Sequence, residues 1–336
     1  MNSLNIVFTG AHAAEVRTEP VPALKPNQVL LRASRTLIST GTEGIVFGRL
    51  FAPETHWDSW VKYPFYPGYS FVGTVEEIGA GVTNVRVGER VAAAVSHREY
   101  AVCDAGALVP LPDGVSDEDG AWFHLAWIAQ IGVRYAAHTL GDTSVVIGLG
   151  IIGQLVCQYL RLQGAREVIA IDTVPRRLEL ARAHGATQTL LMGAAEAKSA
   201  VMDLTGGRGA DVVYDATGHP AVFAPALGLA RRFGTLLLLG DAGDPSEQRL
   251  TTDVIGRGVR IIPAHDNFPP PVSTDHAFWS KPEMARLFLT YLQRGEMRVS
   301  DLVSDRFAPR AAPAAYHKIM TDRAAVMGVV FDWTKG

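Results

Sequence analysis

Three glycines, Gly148, Gly150 and Gly153, sit in the segment SVVIGLGIIGQLVCQYLRLQGAREVIAIDT with the spacing G-x-G-x-x-G. An apolar run precedes them and an amphipathic stretch follows. In that context the first glycine permits a tight turn, the second lets the backbone approach a pyrophosphate, and the third lets a helix pack closely on a strand. Leu149, Ile151 and Ile152 complete the loop, so their backbone belongs to the same phosphate-facing turn. The free N–H groups and positive dipole end of the following helix favour an anion there. Asp172 closes the next apolar run. A carboxylate at that place accepts hydrogen bonds from ribose hydroxyls and repels a 2′-phosphate, which points to NAD rather than NADP. Thr173 adjoins it, and Arg176 and Arg177 follow closely enough to soften that preference or, alternatively, to start a solvated helix. The bland alternative for the whole segment is an ordinary strand–turn–helix.

The elements needed to position such a loop are legible around it. From Thr143 to about Pro263, short apolar runs (SVVIGLG, EVIAIDT, DVVYDAT, GTLLLLGD) alternate with helical patterns. Runs that are apolar throughout imply strands covered on both faces, as in a parallel sheet. ATQTLLM and VRIIPAHD are further strand candidates. Residues 1 to about 120 read instead as short strands broken by Gly and Pro, a mostly β domain. Ser116 in SDEDGAWFHLAW has the character of a helix cap, with acids in the first turn. After residue 265 come a Pro-rich loop, a helix (KPEMARLFLTYLQRG) and one strand (VMGVVFDW). A single strand needs a sheet to join, so the tail is expected to return to the first domain. The expected division is therefore 1–120, 121–265 and 266–336, an α/β protein with a Rossmann dinucleotide-binding domain and a mostly β domain.

The 336 residues are 48% hydrophobic and 19% charged, with a net charge of −3. That balance gives no reason to expect nucleic acid or a membrane as partner. With no long apolar run and no leader-like start, the expectation is a cytoplasmic protein acting on a small molecule. Cys103 and Cys157, the two cysteines, are expected as buried thiols, and two cannot build a four-cysteine zinc lobe.

Together these stretches resemble the medium-chain dehydrogenase/reductase family over nearly the whole chain. GAGVTNVRVGERVAA, LELARAHGAT, GADVVYDATGHPAV and FGTLLLLGDAG are similar to its landmarks. The ISTGTE stretch and the absent cysteine lobe resemble the zinc-lacking members around bacteriochlorophyllide hydroxyethyl dehydrogenase. The resemblance implies a GroES-like catalytic domain before the Rossmann domain, contacts to the cofactor from Thr217 and His265, and a homodimer formed through the last Rossmann strand. An apolar edge strand left bare would be a hazard in a monomer.

The resemblance also says where zinc is held in metal-dependent members, and which residues stand there in this chain. Thr40 takes the place of a cysteine, Gly68-Tyr69-Ser70 that of Gly-His-Glu, and His124 falls near the third ligand. Hydroxyls are poor zinc ligands at neutral pH, and one imidazole cannot hold the ion, so no metal is expected. A proton acceptor must then come from side chains. Thr42 matches a position whose hydroxyl touches the substrate oxygen, and Glu43 matches an acid beside the metal. His124 has the pKa for a base near pH 7; Tyr69 is the second candidate. The competing reading makes His124 a packed helix residue and Tyr69 a filler of the zinc site. His97 is expected to be structural.

Phe51, His56, Trp57, Trp60, Tyr63 and Phe65 make the segment before Gly68 aromatic. They suit a large ring or a sugar face, with Trp57, Tyr69 and His265 touching substrate, or equally a hydrophobic plug. His265 and Asp266 follow a strand end and so fall on the cofactor side of such a sheet. The function that results is zinc-independent, NAD-dependent oxidation of a secondary alcohol such as a sugar, cyclitol or large ring alcohol. An NAD(P)H-dependent quinone or enone reductase and a non-catalytic NAD-binding protein are the alternatives.

Overall fold

The computed structural model describes residues 1–335. Its chain divides into two units, one made of Met1–Leu125 and the tail from Pro271, the other of Ala126–Pro270. Each boundary lies five residues beyond the sequence expectation. The first falls inside the helix Phe123–Tyr135.

The first unit opens with β1 (Asn2–Gly10), β2 (Ala13–Pro20), β3 (Gln28–Ile38), β4 (Phe71–Ile78), β5 (Arg90–Ala93), β6 (Tyr100–Asp104) and β7 (Val109–Pro110). The Rossmann unit contributes β8 (Thr143–Ile147), β9 (Glu167–Asp172), β10 (Gln188–Leu191), β11 (Ala210–Asp215), β12 (Ala230–Leu238) and β13 (Arg260–Pro263). The tail adds β14 (Val303–Phe307) and β15 (Gly328–Asp332).

In the first unit β1 and β2 form a hairpin, and the main sheet runs β14-β15-β3-β4-β5-β7, with β6 also on β3. The tail returns as expected: β15 lies between β14 and β3, antiparallel to β3. The core explains why. Phe331 from β15 and Tyr316 and Ile319 from the helix Ala312–Thr321 are buried with Ile6, Phe8, Leu31 and Phe71. Without the tail those residues would face water.

The Rossmann unit has one parallel sheet of order β10-β9-β8-β11-β12-β13. The connection therefore reverses direction between β8 and β11, the place where such sheets take their ligands. Val145, Ile147, Ile169 and Ile171 are buried on one face, and the intervening Val146, Val168 and Ala170 are buried as well, which accounts for apolar runs with no alternation.

One element departs from the sequence reading. Ser116 does cap a helix, accepting from the Asp119 N–H, but that helix spans only Asp117–Gly120. A second begins at Phe123. Gly120 lies so close to Leu111 that a Cβ there would come within 2.7 Å of it, and the chain turns before resuming helical form. Among the described residues no helix is long and apolar enough to cross a membrane.

Candidate functional site

In the Rossmann unit each motif glycine has a separate physical demand on it. Gly148 has φ +86°, and a Cβ there would come within 2.5 Å of Thr217 Cγ2. Gly153 is pressed against the turn: its Cβ would fall 2.0 Å from the Gly148 carbonyl oxygen. Gly150, the N-cap of the helix Ile151–Leu162, has nothing within 4 Å of that position, so its backbone is open to approach. Leu149 and Ile151 bury their side chains, so what they offer a ligand is main chain; Ile152 is half-buried.

Asp172, 8% exposed, ends β9. It accepts from the Leu149 N–H at 2.7 Å and the Val174 N–H at 2.9 Å. Arg177 stands 3.8 Å from the same carboxylate, while Arg176 pairs with Glu179 on the exposed side of its helix. Thr173 is exposed beside it. Thr217 closes the turn after β11 by donating its N–H and hydroxyl to Asp215, at 2.9 and 2.6 Å. Burial pushes the Asp215 carboxyl above its ordinary value. His265 is exposed just past β13, with Nδ1 accepting from the Asn267 N–H; Asp266 accepts from the Trp127 indole at 2.6 Å. The open Gly150 backbone, the helix start and the buried acid fit a dinucleotide: phosphates on the loop, ribose at Asp172.

In the first unit Thr42, Tyr69 and His124 come together from three elements. Thr42 opens the helix Thr42–Gly48, Tyr69 immediately precedes the β4 region, and His124 is in the first turn of Phe123–Tyr135. The Tyr69 hydroxyl donates to Thr42 Oγ1 at 3.3 Å, and the Tyr69 and His124 rings lie 4.3 Å apart. That bond leaves the Thr42 hydroxyl proton to donate elsewhere. Thr40 and Tyr69 are half-buried, and His124 is buried.

Glu43 is placed differently from a mobile base. It is 2% exposed. One carboxylate oxygen accepts from the Ser39 N–H at 2.8 Å; the other accepts from the Tyr316 hydroxyl at 2.6 Å and lies 3.0 Å from His97 Nε2. Three donors around one carboxylate hold the first turn of the Thr42 helix, with the acid at its favourable N-terminal end. Tyr316 stays a neutral donor, because burial and Glu43 hold its pKa well above the usual phenol value. The residue before Tyr69 belongs to the same construction. Gly68 has φ +94°, and a Cβ there would lie 2.6 Å from the His97 ring. Sequence reasoning missed Tyr316 and the His97 link, and no local pattern signals either.

Trp57, expected against substrate, is instead 4% exposed in the core of the first unit, with its ring stacked 6.5 Å from Phe51. Thr55 caps its short helix, His56–Trp60. Phe65 exchanges backbone hydrogen bonds with Phe8 of β1. These aromatics pack the unit's interior because the segment is tied along β1. Both cysteines are free, with burial pushing each thiol up to about 12. Among the described residues no group of three or more His, Cys, Asp or Glu is placed to hold a metal ion.

Residues 25–114 match the alcohol dehydrogenase GroES-like domain, and residues 152–265 the family described as zinc-binding dehydrogenase. L-threonine 3-dehydrogenase of Bacillus subtilis (strain 168) is 31% identical over 291 residues, 75% of this chain and 80% of that one. D-guloside 3-dehydrogenase of Shigella flexneri is 28% identical over 274 residues, 80% of this chain and 78% of that one. The crystal structure of a putative zinc-binding dehydrogenase from Sinorhizobium meliloti 1021, bound to NADP, superposes with a TM-score of 0.80 at 20% identity, covering 99% of both chains. The chain belongs to the medium-chain dehydrogenase/reductase family and is an oxidoreductase of its dinucleotide-binding type.

Proposed function

We propose that this protein oxidises a secondary alcohol, a sugar, cyclitol or ring alcohol, with NAD and without zinc. The observation that carries the reading is the meeting of Thr42 with Tyr69 and His124, the latter two standing where the resemblance puts zinc ligands. The names of the threonine and guloside dehydrogenases support a hydroxyl-bearing substrate. Nicotinamide dinucleotide, when bound, is the hydride acceptor. The loop from Gly148 to Gly153, with Asp172, Thr173, Arg177, Thr217 and His265, would hold it. Asp172 favours the unphosphorylated ribose, since a 2′-phosphate would meet a carboxylate already within a low-dielectric rim.

The chain's own residues manage the proton. Thr42 donates to, or accepts from, the substrate oxygen. Tyr69 fixes the Thr42 hydroxyl. His124 takes the proton as the carbonyl forms, because a neutral imidazole nitrogen can accept one. The resemblance puts Thr40 beside them.

The test has two parts. Purified protein should carry far less than one zinc per chain by elemental analysis, and chelators should leave turnover unchanged. A positioned base contributes about 10²- to 10⁴-fold, so His124→Ala should lose turnover on that order while NADH binding holds. Tyr69→Phe should lose about tenfold or more by the same logic of a displaced hydroxyl. One equivalent of zinc, lost together with activity, would refute the metal-free reading; near-normal turnover in both variants would refute the residue roles.

A further inference from the structure

The Rossmann unit has a second charged construction, at the opposite end of its sheet from the glycine-rich loop. An open cavity of about 560 Å³ is lined by Lys198, Arg208, Arg231, Arg232 and Arg257, with Asp253 its one acid. Arg208 lies just ahead of β11, Arg231 and Arg232 open β12, and Arg257 lies just ahead of β13. In a parallel sheet these are the strand beginnings, whereas Gly148 and Thr217 follow strand ends. The cavity is therefore not the dinucleotide's phosphate site.

Three of the guanidiniums are fixed from behind. Arg208 grips both oxygens of Asp211, at 2.8 and 2.6 Å, and Arg231 Nε adds a third bond at 2.6 Å. The Thr143 N–H adds a fourth, at 2.9 Å. Arg257 bonds Asp253 at 2.9 Å and the carbonyls of Gly228 and Ala230. These anchors leave the forks ordered before any ligand arrives, so little side-chain entropy is lost on binding. Lys198 and Arg232 are exposed and make no ion pair among the described residues. Five cations thus line one concavity with a single carboxylate, Asp253, which Arg257 already engages, while Asp211 holds Arg208 and Arg231 from outside the lining. Like charges gathered this way repel, and an anion of charge two or more relieves them. Arginine forks match the oxygens of a phosphoryl group in pairs. The volume lies within the range of small-ligand sites, and the chain's net charge of −3 sets this patch apart from a general basic surface.

We propose that this cavity binds a small polyanion of the phosphate type, a diphosphate or a phosphorylated metabolite, as a site separate from the dinucleotide's. The test is calorimetric titration of the full chain, saturated with NADH, with pyrophosphate in a phosphate-free buffer at constant ionic strength. One saturable site per chain is expected. Lys198→Glu combined with Arg232→Glu should weaken it at least tenfold, with the thermal midpoint and NADH fluorescence titration of the variant matching wild type. Inorganic phosphate and a sugar phosphate, run in parallel, tell a bare phosphoryl group from an esterified one. The proposal is overturned if pyrophosphate gives no more heat than matched chloride. It is overturned equally if the double variant binds as wild type does, or if binding appears only when NADH is left out, which would assign it to the glycine-rich loop.

Discussion

Glu43 lies in the first turn of the helix Thr42–Gly48 and Tyr69 just before β4, and the structure uses them in different ways. Tyr69 reaches a hydroxyl it can align; Glu43 is enclosed by Ser39, His97 and Tyr316. Enclosure has a measurable consequence. Tyr316→Phe removes one of three donors from a carboxylate that cannot reach water, and should cost about 1–3 kcal/mol, the penalty of a buried acceptor left short of a donor. Urea unfolding would read it, and an unchanged midpoint would mean that His97 and Ser39 suffice. Asp172 permits a second prediction. Asp172→Ala combined with Thr173→Arg removes the ribose acceptor and adds a phosphate partner, so NAD should bind at least about tenfold more weakly and NADP more tightly, a loss of the size of one charged hydrogen bond. Fluorescence titration with NADH and NADPH measures both. Equal affinity of the unaltered protein for the two would remove the basis of the NAD assignment. Asp172 was legible in the sequence because the spacing from the glycine-rich loop fixes it locally, whereas Thr42, Tyr69 and His124 were reached only through the family resemblance. Tyr316 was not: it meets Glu43 across 273 residues, and nothing in either neighbourhood announces the pairing. Trp57 misled, because an aromatic cluster reads the same whether it faces a ligand or a core.

Elements show the same division between local and distant causes. The strand–turn–helix around Gly148 was readable because each glycine answers to a neighbour within a few positions, as the Gly153 approach to the Gly148 carbonyl makes plain. The break after Gly120 was not, since the close neighbour at that point, Leu111, lies outside the helix. A hydrogen-bonded trio across β11 escaped sequence reading altogether. His138 Nε2 lies 2.5 Å from the buried Tyr214 hydroxyl and Nδ1 lies 3.3 Å from Asp142. With its side chain 3% exposed, burial lowers the His138 pKa, and Asp142 opposes that only in part. The folded state thus resists a proton that the unfolded chain accepts near pH 6.5. Stability from this group is complete above the unfolded value and is lost as pH falls from there toward the lowered folded value, at up to about 1.4 kcal/mol for each pH unit in that window. His138→Gln should flatten the fall in unfolding free energy between pH 7.5 and 5. Parallel curves for the two proteins would show that other groups set the acid limb.

At the scale of the molecule, the sequence foretold two units and a tail that rejoins the first, because a lone strand and an apolar helix face must be covered. The assembly of whole chains rests on a comparable argument. Among the described residues β13 pairs on one side only, with β12. Its Ile261 and Ile262 are half-buried, and Ile255 and Leu250 close by in sequence are 93% and 68% exposed. A row of unpaired backbone donors and acceptors flanked by exposed aliphatic side chains is a template for another strand. Two chains related by a twofold axis can satisfy both edges at once, each β13 running antiparallel to the other and closing the sheet without leaving a new edge. The expected species is therefore a homodimer at micromolar concentration, seen by light scattering as twice the 36.2 kDa chain mass. Ile255→Lys places like charges on both sides of that axis and should shift the protein to monomer, with the Rossmann unit still folded because that side chain is 93% exposed. If the unaltered protein is monomeric, the edge must be protected by its short length alone; if the charged variant stays dimeric, the contact lies elsewhere on the chain.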